Sequence, residues 1–507
     1  MDRPDSAPGD LREAGRGFLL ITGAKAWFLI TATFTSLAFP RLFGDAAAFG
    51  QFRVVSGVLN VLTMVVVTAS VQAVARMSAD AGANVSGVLR TAVKVQAAVF
   101  GPVFLAMLLG SGVLASEFLH DEALALPLAV SSVVILAYAF YSVLVGVLNG
   151  TRRFGRQAGL DVAFSTLKTG LMVAAVVATG SVTWAFGAFA TTAVVVLILA
   201  IPVAVAALQA DAVGRGTETS SRAYLRYLLP LALYALFLNL LLQADVVALK
   251  AILGGRAGEG AAEAASAVAG VYGAARNVSL LPYQAVISLT FVVFPLVSRA
   301  TSRGDRVTAS AAASGAIRLA AVLSWLAVGL LGAAPEGLLS ILFGQDYAGG
   351  GQVLVPLLAA GAMMAGTYVG NAVLASAGRP AAPLWAGLAS LAVLAGGLWV
   401  ALAGVEGEAA AMSGAAWATL AAAATGFVVN GALVAATFGE APWLKTTLLA
   451  AVGAIAGLAA STALPDTISP AIHTTISGAV FLVVLVATGG IGPEDGRRVL
   501  GMVSRRR

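Results

Sequence analysis

The sequence contains no cysteine and only two histidines, His120 and His473. The lack of cysteine excludes disulfides, thiol catalysis and cysteine-ligated metals, and two histidines leave no recognisable metal site. The chain also lacks a nucleotide-binding loop of the form G-x-x-x-x-G-K-[ST], so direct use of ATP is not expected. We therefore expect no metal and no cofactor.

Charged residues are scarce as well. They make up 11% of the 507 residues, whereas 59% are hydrophobic and the mean hydropathy is +0.92. Soluble cores cannot hide so much apolar surface, and windows of about 20 apolar residues, enough to cross ~30 Å of hydrocarbon, predict an all-α polytopic membrane protein. The fourteen predicted spans are 17–39, 51–75, 89–116, 123–149, 158–179, 182–207, 223–253, 267–298, 308–333, 351–377, 382–404, 409–437, 443–464 and 471–490.

The positions of the basic residues test this count independently. With the amino terminus in the cytoplasm, 21 of the 30 Lys and Arg residues fall on the cytoplasmic side, two fall outside and seven lie within spans. This is the positive-inside pattern, and it predicts that both termini are cytoplasmic. Because the net charge of +6 is spread over many loops, it does not indicate a nucleic-acid partner.

Two stretches set the same residue types 223 positions apart. Gly50 and Arg53 correspond to Gly273 and Arg276, and Arg76 corresponds to Arg299. Farther along, Leu148–Phe154 corresponds to Leu374–Pro380 at an offset of 226. Such duplications are common in transporters, whose substrate site lies between the repeats.

The duplication and the spans together predict the organisation of the chain. The expected parts are a disordered tail at 1–16, a first six-helix lobe at 17–207, a linker at 208–222, a second six-helix lobe at 223–437, two extra helices at 438–490 and a basic tail at 491–507. We expect the first span to act as an uncleaved insertion signal, because no short apolar segment with a cleavage site precedes it.

Seven basic residues within spans need partners, because a charge at mid-bilayer costs about 2.5–3.5 kcal/mol. Lys94 and Lys250 lie near span ends, from which their ammonium groups can reach the headgroups. The deeper residues predict a positively charged, water-filled cavity that suits an anionic substrate. They are Lys25, Arg53, Lys168, Arg276 and Arg318, and the matching spacings Arg53-x-x-Ser56-x-x-x-Asn60 and Arg276-x-x-Ser279-x-x-x-Tyr283 add Asn60 and Tyr283 to the predicted substrate site.

Arginine favours phosphate as the substrate group, since its guanidinium binds phosphate oxygens in pairs. Among the few acidic residues within spans, Asp245 is the candidate for binding a coupling H⁺ or Na⁺, and Asn239 and Gln243 on the same helix are candidate ligands. Two alternatives stay open: Asp245 pairs with Lys250 or an arginine, and the amides hold helices together. Asp161 is expected to balance charge locally.

Four motifs occur in order along the chain. They are Phe39–Asp45 followed by Phe49–Phe52, then Asp245 followed by Gly270–Arg276, then Phe294–Ser298, then Ile341–Tyr347. Their order and spacing resemble the multidrug/oligosaccharidyl-lipid/polysaccharide (MOP) flippase superfamily, and within it the bacterial O-antigen and polysaccharide flippases. Phe49 departs from the family pattern, in which a tyrosine is usual.

The resemblance implies two lobes around a lumen in which Arg53 and Arg276 grip the diphosphate of an undecaprenyl-linked oligosaccharide. It implies a transporter rather than an enzyme, in the bacterial cytoplasmic membrane, working in lipopolysaccharide or other surface-polysaccharide biosynthesis. Its partners would be membrane lipid and polysaccharide polymerase or export machinery. Two alternatives stay open: a cation-coupled drug or metabolite antiporter, against which the positive interior argues, and a membrane glycosyltransferase or polymerase, for which the outer loops are short.

Overall fold

The computed structural model describes residues 8–80, 84–210, 220–256, 258, 260–379, 381–439, 442–465 and 467–490. The side chains of 8–19, 207, 209–210, 288–296, 299, 302, 306 and 442 lie outside that description. Within these residues the chain is all-helical, with sixteen α-helices, three short π or 3₁₀ turns and no strand. The helices are α1 (Pro8–Phe43), α2 (Ala46–Ala79), α3 (Val85–Val113), α4 (Ala125–Gly150), α5 (Phe154–Thr179), α6 (Val182–Ala210), α7 (Ser221–Gly254), α8 (Ala261–Ser279), α9 (Leu281–Ser302), α10 (Arg306–Leu331), α11 (Pro335–Phe343), α12 (Gly351–Ser376), α13 (Ala382–Leu402), α14 (Glu408–Phe438), α15 (Pro442–Thr462) and α16 (Pro470–Ala487).

Thirteen helical segments among the described residues are long and apolar enough to cross a membrane, which makes this a multi-pass membrane protein. They match thirteen of the fourteen predicted spans. The eighth predicted span, 267–298, is interrupted at one residue, Leu280, between α8 and α9. The N–H of Leu280 still donates to the carbonyl of Arg276 at 3.2 Å, and its carbonyl accepts from the N–H of Gln284 at 2.9 Å. The cause is Pro282, which has no N–H to donate and whose ring crowds the carbonyl one turn earlier.

The amino-terminal prediction needs a correction. Residues 8–16, predicted to be disordered, are the first residues of α1, because the helix of the first span extends back through Leu11–Ala14, residues of mostly good helix propensity. Residues 1–7, most of the predicted linker and the basic tail at 491–507 lie outside the described residues.

The chain divides into two compact units, residues 1–270 and 271–507. In the first unit, α2 packs on α4, and α4 and α5 pack on α6. In the second, α9 packs on α12, and α12 and α13 pack on α14, which are the equivalent pairs of the duplicated sequence. Helices α15 and α16 pack on each other and on α10. The boundary at residue 270 leaves α7, the first helix of the second sequence copy, within the first unit.

One turn repeats in atomic detail. After α4, the N–H of Arg153 donates to the carbonyl of Leu148 at 2.8 Å, and after α12 the N–H of Arg379 donates to the carbonyl of Leu374 at 3.0 Å. Both turns have a left-handed residue, with φ of 58° at Arg152 and 81° at its counterpart Gly378. These hydrogen bonds close the helix end as in a Schellman motif, and they share the offset of 226 seen in the sequence.

We expect Arg152→Gly to stabilise the protein by up to about 1 kcal/mol, because a non-glycine residue with positive φ is strained. The matched change Gly378→Ala should cost about 1 kcal/mol, since it introduces that strain in the other copy. Thermal unfolding in detergent measures both shifts. Equal shifts of the same sign would contradict the assignment of strain to this turn.

Candidate functional site

The face of α2 that carries Arg53 adjoins α7. Arg53, Gly57 and Asn60 stand at i, i+4 and i+7 and so lie on one side of the helix. Gly57 contacts α7, because a Cβ there would lie 3.0 Å from Val247 Cγ2 and 3.7 Å from Gln243 Oε1. Arg53 is buried and Asn60 is half-buried. The structure therefore places these two predicted substrate ligands together in the first unit.

The three predicted ion ligands of α7 lie on two sides of the helix. The Asn239 amide, one turn before Gln243, donates to the Ala235 carbonyl at 2.8 Å. Asp245 is fully buried, and its Oδ1 accepts from the N–H of Val246 at 2.9 Å. Two positions along a helix correspond to a rotation of about 200°, so Gln243 and Asp245 point in different directions. They do not converge on one ion within α7, and ion coupling at Asp245 stays a prediction.

Lys250, the candidate partner of Asp245, binds a residue from a distant loop. Its Nζ donates to Oδ2 of Asp121 at 2.9 Å and to the carbonyl of Ala262 at 2.6 Å. Both charged side chains are buried. The prediction that Lys250 reaches the headgroups is therefore wrong, because Asp121, in the connection between α3 and α4, supplies a counter-ion inside the protein.

Lys25 of α1 pairs with Asp161 of α5, with 3.2 Å between Nζ and Oδ2. The Lys25 side chain is 48% exposed and that of Asp161 12% exposed. The same helix pair is joined by Trp27, whose Nε1 donates to Oγ1 of Thr166 at 2.9 Å. Asp161 thus acts as a local counter-ion, and Lys25 offers a substrate less charge than the sequence alone indicates.

Lys168 lies beside aromatic rings in the first unit. Its Nζ is 4.4 Å from the centre of the Phe189 ring, a cation–π contact. Tyr138 packs edge-on against Phe189 and also against Phe164, with ring centres 6.0 and 5.6 Å apart. This cluster joins α4, α5 and α6 and holds Lys168 at the α5–α6 interface.

In the second unit, Arg276 lies one turn before the break between α8 and α9. Its side chain has no exposed surface, and its Nη2 lies 4.0 Å from Sδ of Met364 on α12. The carbonyl of Ser279, at the break, packs against Gly361 of α12, where any Cβ would overlap it. Glycine at that position lets α12 approach the broken helix closely.

Further polar residues continue along the same face of α12. Tyr368 and Asn371 follow Met364 by four and seven positions, so the three share one side of the helix. The Tyr368 ring lies 5.6 Å from that of Tyr283, at an interplanar angle of 75°. Asn371 Oδ1 accepts a hydrogen bond from Nδ2 of Asn430 on α14. The second unit therefore gathers a cation, two phenol rings and two amides along one helix face.

Arg318 lies elsewhere in the second unit. Its Nε donates to Oγ1 of Thr446 on α15 at 3.0 Å. This hydrogen bond joins α10 to one of the two extra helices, so the geometry assigns Arg318 to the α10–α15 interface. Substrate contact by Arg318 stays a prediction.

The described residues offer no metal centre. Among them, no group of three or more His, Asp or Glu side chains lies close enough to hold a metal ion. His473 lies 2.9 Å from Ser461 Oγ, and His120 lies 3.1 Å from the carbonyl of Ala251, so both imidazoles bind protein groups.

Sequence reasoning missed Tyr368, Asn371 and Asn430 as candidate site residues, and it missed Asp121 as a partner of Lys250. A usable signal existed for the two asparagines: each stands inside a predicted apolar span, where a polar side chain needs a partner. Asp121 gave no such signal because it stands in a connection between spans.

No sequence-family model matches the chain, and no curated protein matches it. Solved structures do. The lipid II flippase MurJ in an inward closed conformation matches with a TM-score of 0.70 at 13% identity, covering 92% of this chain and 98% of that one. A MOP superfamily transporter from Pyrococcus furiosus Vc1, described as having a binding pocket of reverse polarity, matches with a TM-score of 0.60 at 17% identity over 83% and 96%.

An inward-facing multidrug resistance MATE transporter of the MOP superfamily matches with a TM-score of 0.59 at 15% identity, over 80% of this chain and 96% of that one. At these identities the likeness establishes the fold. The chain has the fold of these MOP-type transporters, and the likeness covers 80–92% of its length.

Proposed function

We propose that this protein is a MOP-type transporter that flips a lipid carrying a diphosphate-linked oligosaccharide across the membrane. The observation that carries the proposal is Arg276, a fully buried arginine at a break in a membrane helix. Transporters commonly bind substrate at discontinuous helices, because the freed backbone groups of the break can bind the substrate. A buried guanidinium beside such a break suits a phosphate group.

The break adds a second contribution to anion binding. Helix α9 begins at Leu281, and the N–H groups of its first turn carry the positive end of the helix dipole. Pro282 stands in this turn and has no N–H, so the turn offers one donor fewer than usual. Arg276 stands in the last turn of α8, only a few residues earlier, so a diphosphate here would meet a full positive charge and a partial one.

The face of α12 supplies groups for a sugar. Tyr283 and Tyr368 offer ring faces and hydroxyls, which suit the apolar and polar sides of a pyranose. Asn371 and Asn430 offer amide donors and acceptors for neighbouring hydroxyls. We assign the glycan to these four residues and the diphosphate to Arg276, with Arg53 as the corresponding cation of the first copy.

The sign of the charge separates this function from transport of cations. Besides Arg90, Arg226 and Lys445 at cytoplasmic span ends, seven basic residues stand within the predicted spans but only two acidic ones, Asp161 and Asp245. Asp161 is occupied by Lys25. A site for cationic drugs would need carboxylates facing the substrate, whereas the residues gathered at the break are Arg276 and neutral polar groups.

The fold likeness supports the same proposal. One neighbour is named a lipid II flippase, and others are named multidrug resistance transporters. We infer an undecaprenyl-diphosphate oligosaccharide of a surface polysaccharide such as O-antigen as the substrate. We also infer that the protein lies in the bacterial cytoplasmic membrane and that H⁺ or Na⁺ binding at Asp245 drives transport. A polysaccharide polymerase or exporter would then act on the flipped lipid.

Reconstitution into proteoliposomes tests the function. A fluorescent oligosaccharide on undecaprenyl diphosphate is placed in both leaflets, and a membrane-impermeant quencher reports the outer fraction over time under H⁺ or Na⁺ gradients. We expect gradient-dependent movement of the lipid and no uptake of ethidium. Uptake of ethidium without lipid movement would move the protein to the drug antiporters.

A further inference from the structure

A buried polar cluster joins four segments of the first unit. Asp121 Oδ2 accepts from Nζ of Lys250 at 2.9 Å, from Oγ of Ser266 at 3.1 Å and from Nε2 of Gln51 at 3.3 Å, while its Oδ1 accepts from the N–H of Ala123 at 3.1 Å. These residues stand in the α3–α4 connection, α7, α8 and α2. One carboxylate therefore fixes three helices at one level of the membrane.

The cluster crosses the boundary between the two sequence copies. Gln51 and Asp121 belong to the first copy, whereas Lys250 and Ser266 belong to the second. By the predicted topology all four lie at the outer face. Alternating access requires contacts between the copies to open at one face while they close at the other, so this cluster lies where an outer contact would have to break.

A close helix contact stands beside the cluster. Gly50 of α2 and Gly270 of α8 face each other, and a Cβ at either would overlap the other helix: at Gly50 with the Ser266 carbonyl, and at Gly270 with that of Ala46. The outer ends of α2 and α8 are thus in backbone contact, which only glycine permits.

The opposite end of the α2–α7 interface has a different character. There, Tyr224 and Leu228 of α7 are buried with Ala69, Ala73 and Val74 of α2. At the margin of this apolar contact, the Arg76 guanidinium of α2 lies 5.0 Å from the centre of the Tyr227 ring of α7. Where such apolar surfaces separate around a water-filled cavity, each Å² exposed to water costs about 25 cal/mol. A buried ion pair differs, because both charges regain water when they separate, and this offsets most of the lost attraction.

We propose that the Asp121–Lys250 cluster is a latch that holds the outer ends of α7 and α8 against α2 and releases them in the outward-open state, while the apolar end of α7 serves as the hinge. The inference depends on the transport cycle of the proposed function but not on the substrate. The latch reversibly stabilises the outward-closed state.

The absence of cysteine makes the test direct, because two introduced thiols are the only labelling sites. Glu122→Cys and Glu263→Cys place spin labels at exposed positions beside the cluster, one on each sequence copy. Pulsed dipolar spectroscopy in nanodiscs gives the distance distribution between the labels. This measurement needs no substrate, so it separates failure of the latch from failure of the proposed function.

We expect Lys250→Met to raise the long-distance fraction about tenfold or more, because it leaves the Asp121 carboxylate without its counter-ion in the closed state. Asp121→Asn should act in the same direction with a smaller effect. The double variant Asp121→Leu with Lys250→Met should bring the fraction back to the native value or below, because a well-packed apolar pair needs no water.

Asp161→Asn is the matched control, since it breaks an ion pair between α1 and α5 within one sequence copy. It should leave the distances between the labels unchanged. The latch is overturned if a folded Lys250→Met protein keeps the native distribution, or if Asp161→Asn opens the outer face equally. Should Lys250→Met fail to fold, an unchanged distribution in Asp121→Asn would overturn it as well.

Discussion

Replacing Arg276 by glutamine should lower the rate of lipid flipping at least about a hundredfold. Each charge-assisted hydrogen bond from a guanidinium to phosphate contributes about 1.5–3 kcal/mol. Glutamine removes the charge and at least two such bonds, a loss of about 3–6 kcal/mol in which every 1.4 kcal/mol is a factor of ten. The side chain is fully buried, so water supplies little of the lost interaction.

Arg276→Lys should fall between glutamine and the native protein, because lysine keeps the charge but binds phosphate as a point and not as a fork. The matched control is Arg379→Gln, an exposed arginine whose Nη1 donates to Thr437 at 2.9 Å. Initial flipping rates in proteoliposomes, normalised to inserted protein, give the comparison. Native rates in Arg276→Gln would remove this residue from the substrate site and leave it a packing role against Met364.

The repeated frame of the sequence is the part of the candidate site that the sequence alone reveals, and its role in substrate binding stays a prediction. Arg53 and Arg276, 223 positions apart, were found because a charge in an apolar window is visible without any structure. The structure adds the repeated turn at Arg152 and Gly378, whose hydrogen bonds share the offset that the sequence shows. The all-α membrane fold was predictable for a different reason: composition and periodicity are local properties of the chain.

The pairings could not be predicted, because they depend on which helix faces meet. Asp121 and Lys250 are 129 positions apart, and nothing in either segment identifies the other. Sequence proximity favoured Asp245 as the partner of Lys250. Side chains five positions apart on a helix are rotated by about 140° about its axis, so these two point in different directions. Asn371 and Asn430 are 59 positions apart, and only the packing of α12 on α14 brings their amides together.

The helix break was predictable in part. Pro282 stood within the predicted eighth span, and a proline there is compatible with either a kinked or an interrupted helix. The interruption is confined to Leu280, whose N–H still donates to the Arg276 carbonyl at 3.2 Å and whose carbonyl accepts from the N–H of Gln284 at 2.9 Å. Beside it, the Ser279 carbonyl packs against Gly361 of α12. The first copy has Leu59 at the position that corresponds to Pro282, and α2 continues through it.

The largest effect on the conformational cycle should come from Gly270→Ala. A Cβ there would overlap the backbone carbonyl of Ala46, and a backbone atom cannot move aside as a side chain can. Overpacking of a tight helix contact costs about 1–3 kcal/mol or more, and a bias of about 5.5 kcal/mol turns a 99:1 population into 1:99. A cost of about 1–3 kcal/mol is smaller than that, and it should lower the ratio of outward-closed to outward-open protein about 5- to 150-fold, with a fall in flipping rate in the same direction.

Gly170→Ala is the matched control, because a Cβ at that position of α5 meets nothing within 4 Å. It should leave both the distances between labels at Glu122→Cys and Glu263→Cys and the flipping rate near native values. If the α2–α8 contact opens during transport, Gly270→Ala should lengthen the distance between the labels while thermal unfolding stays cooperative, since the open state escapes the clash. If the contact were instead a permanent part of the fold, no open state would be available to relieve the overlap. The same change would then lower the melting temperature steeply, and the protein that stayed folded would keep the short distance between the labels.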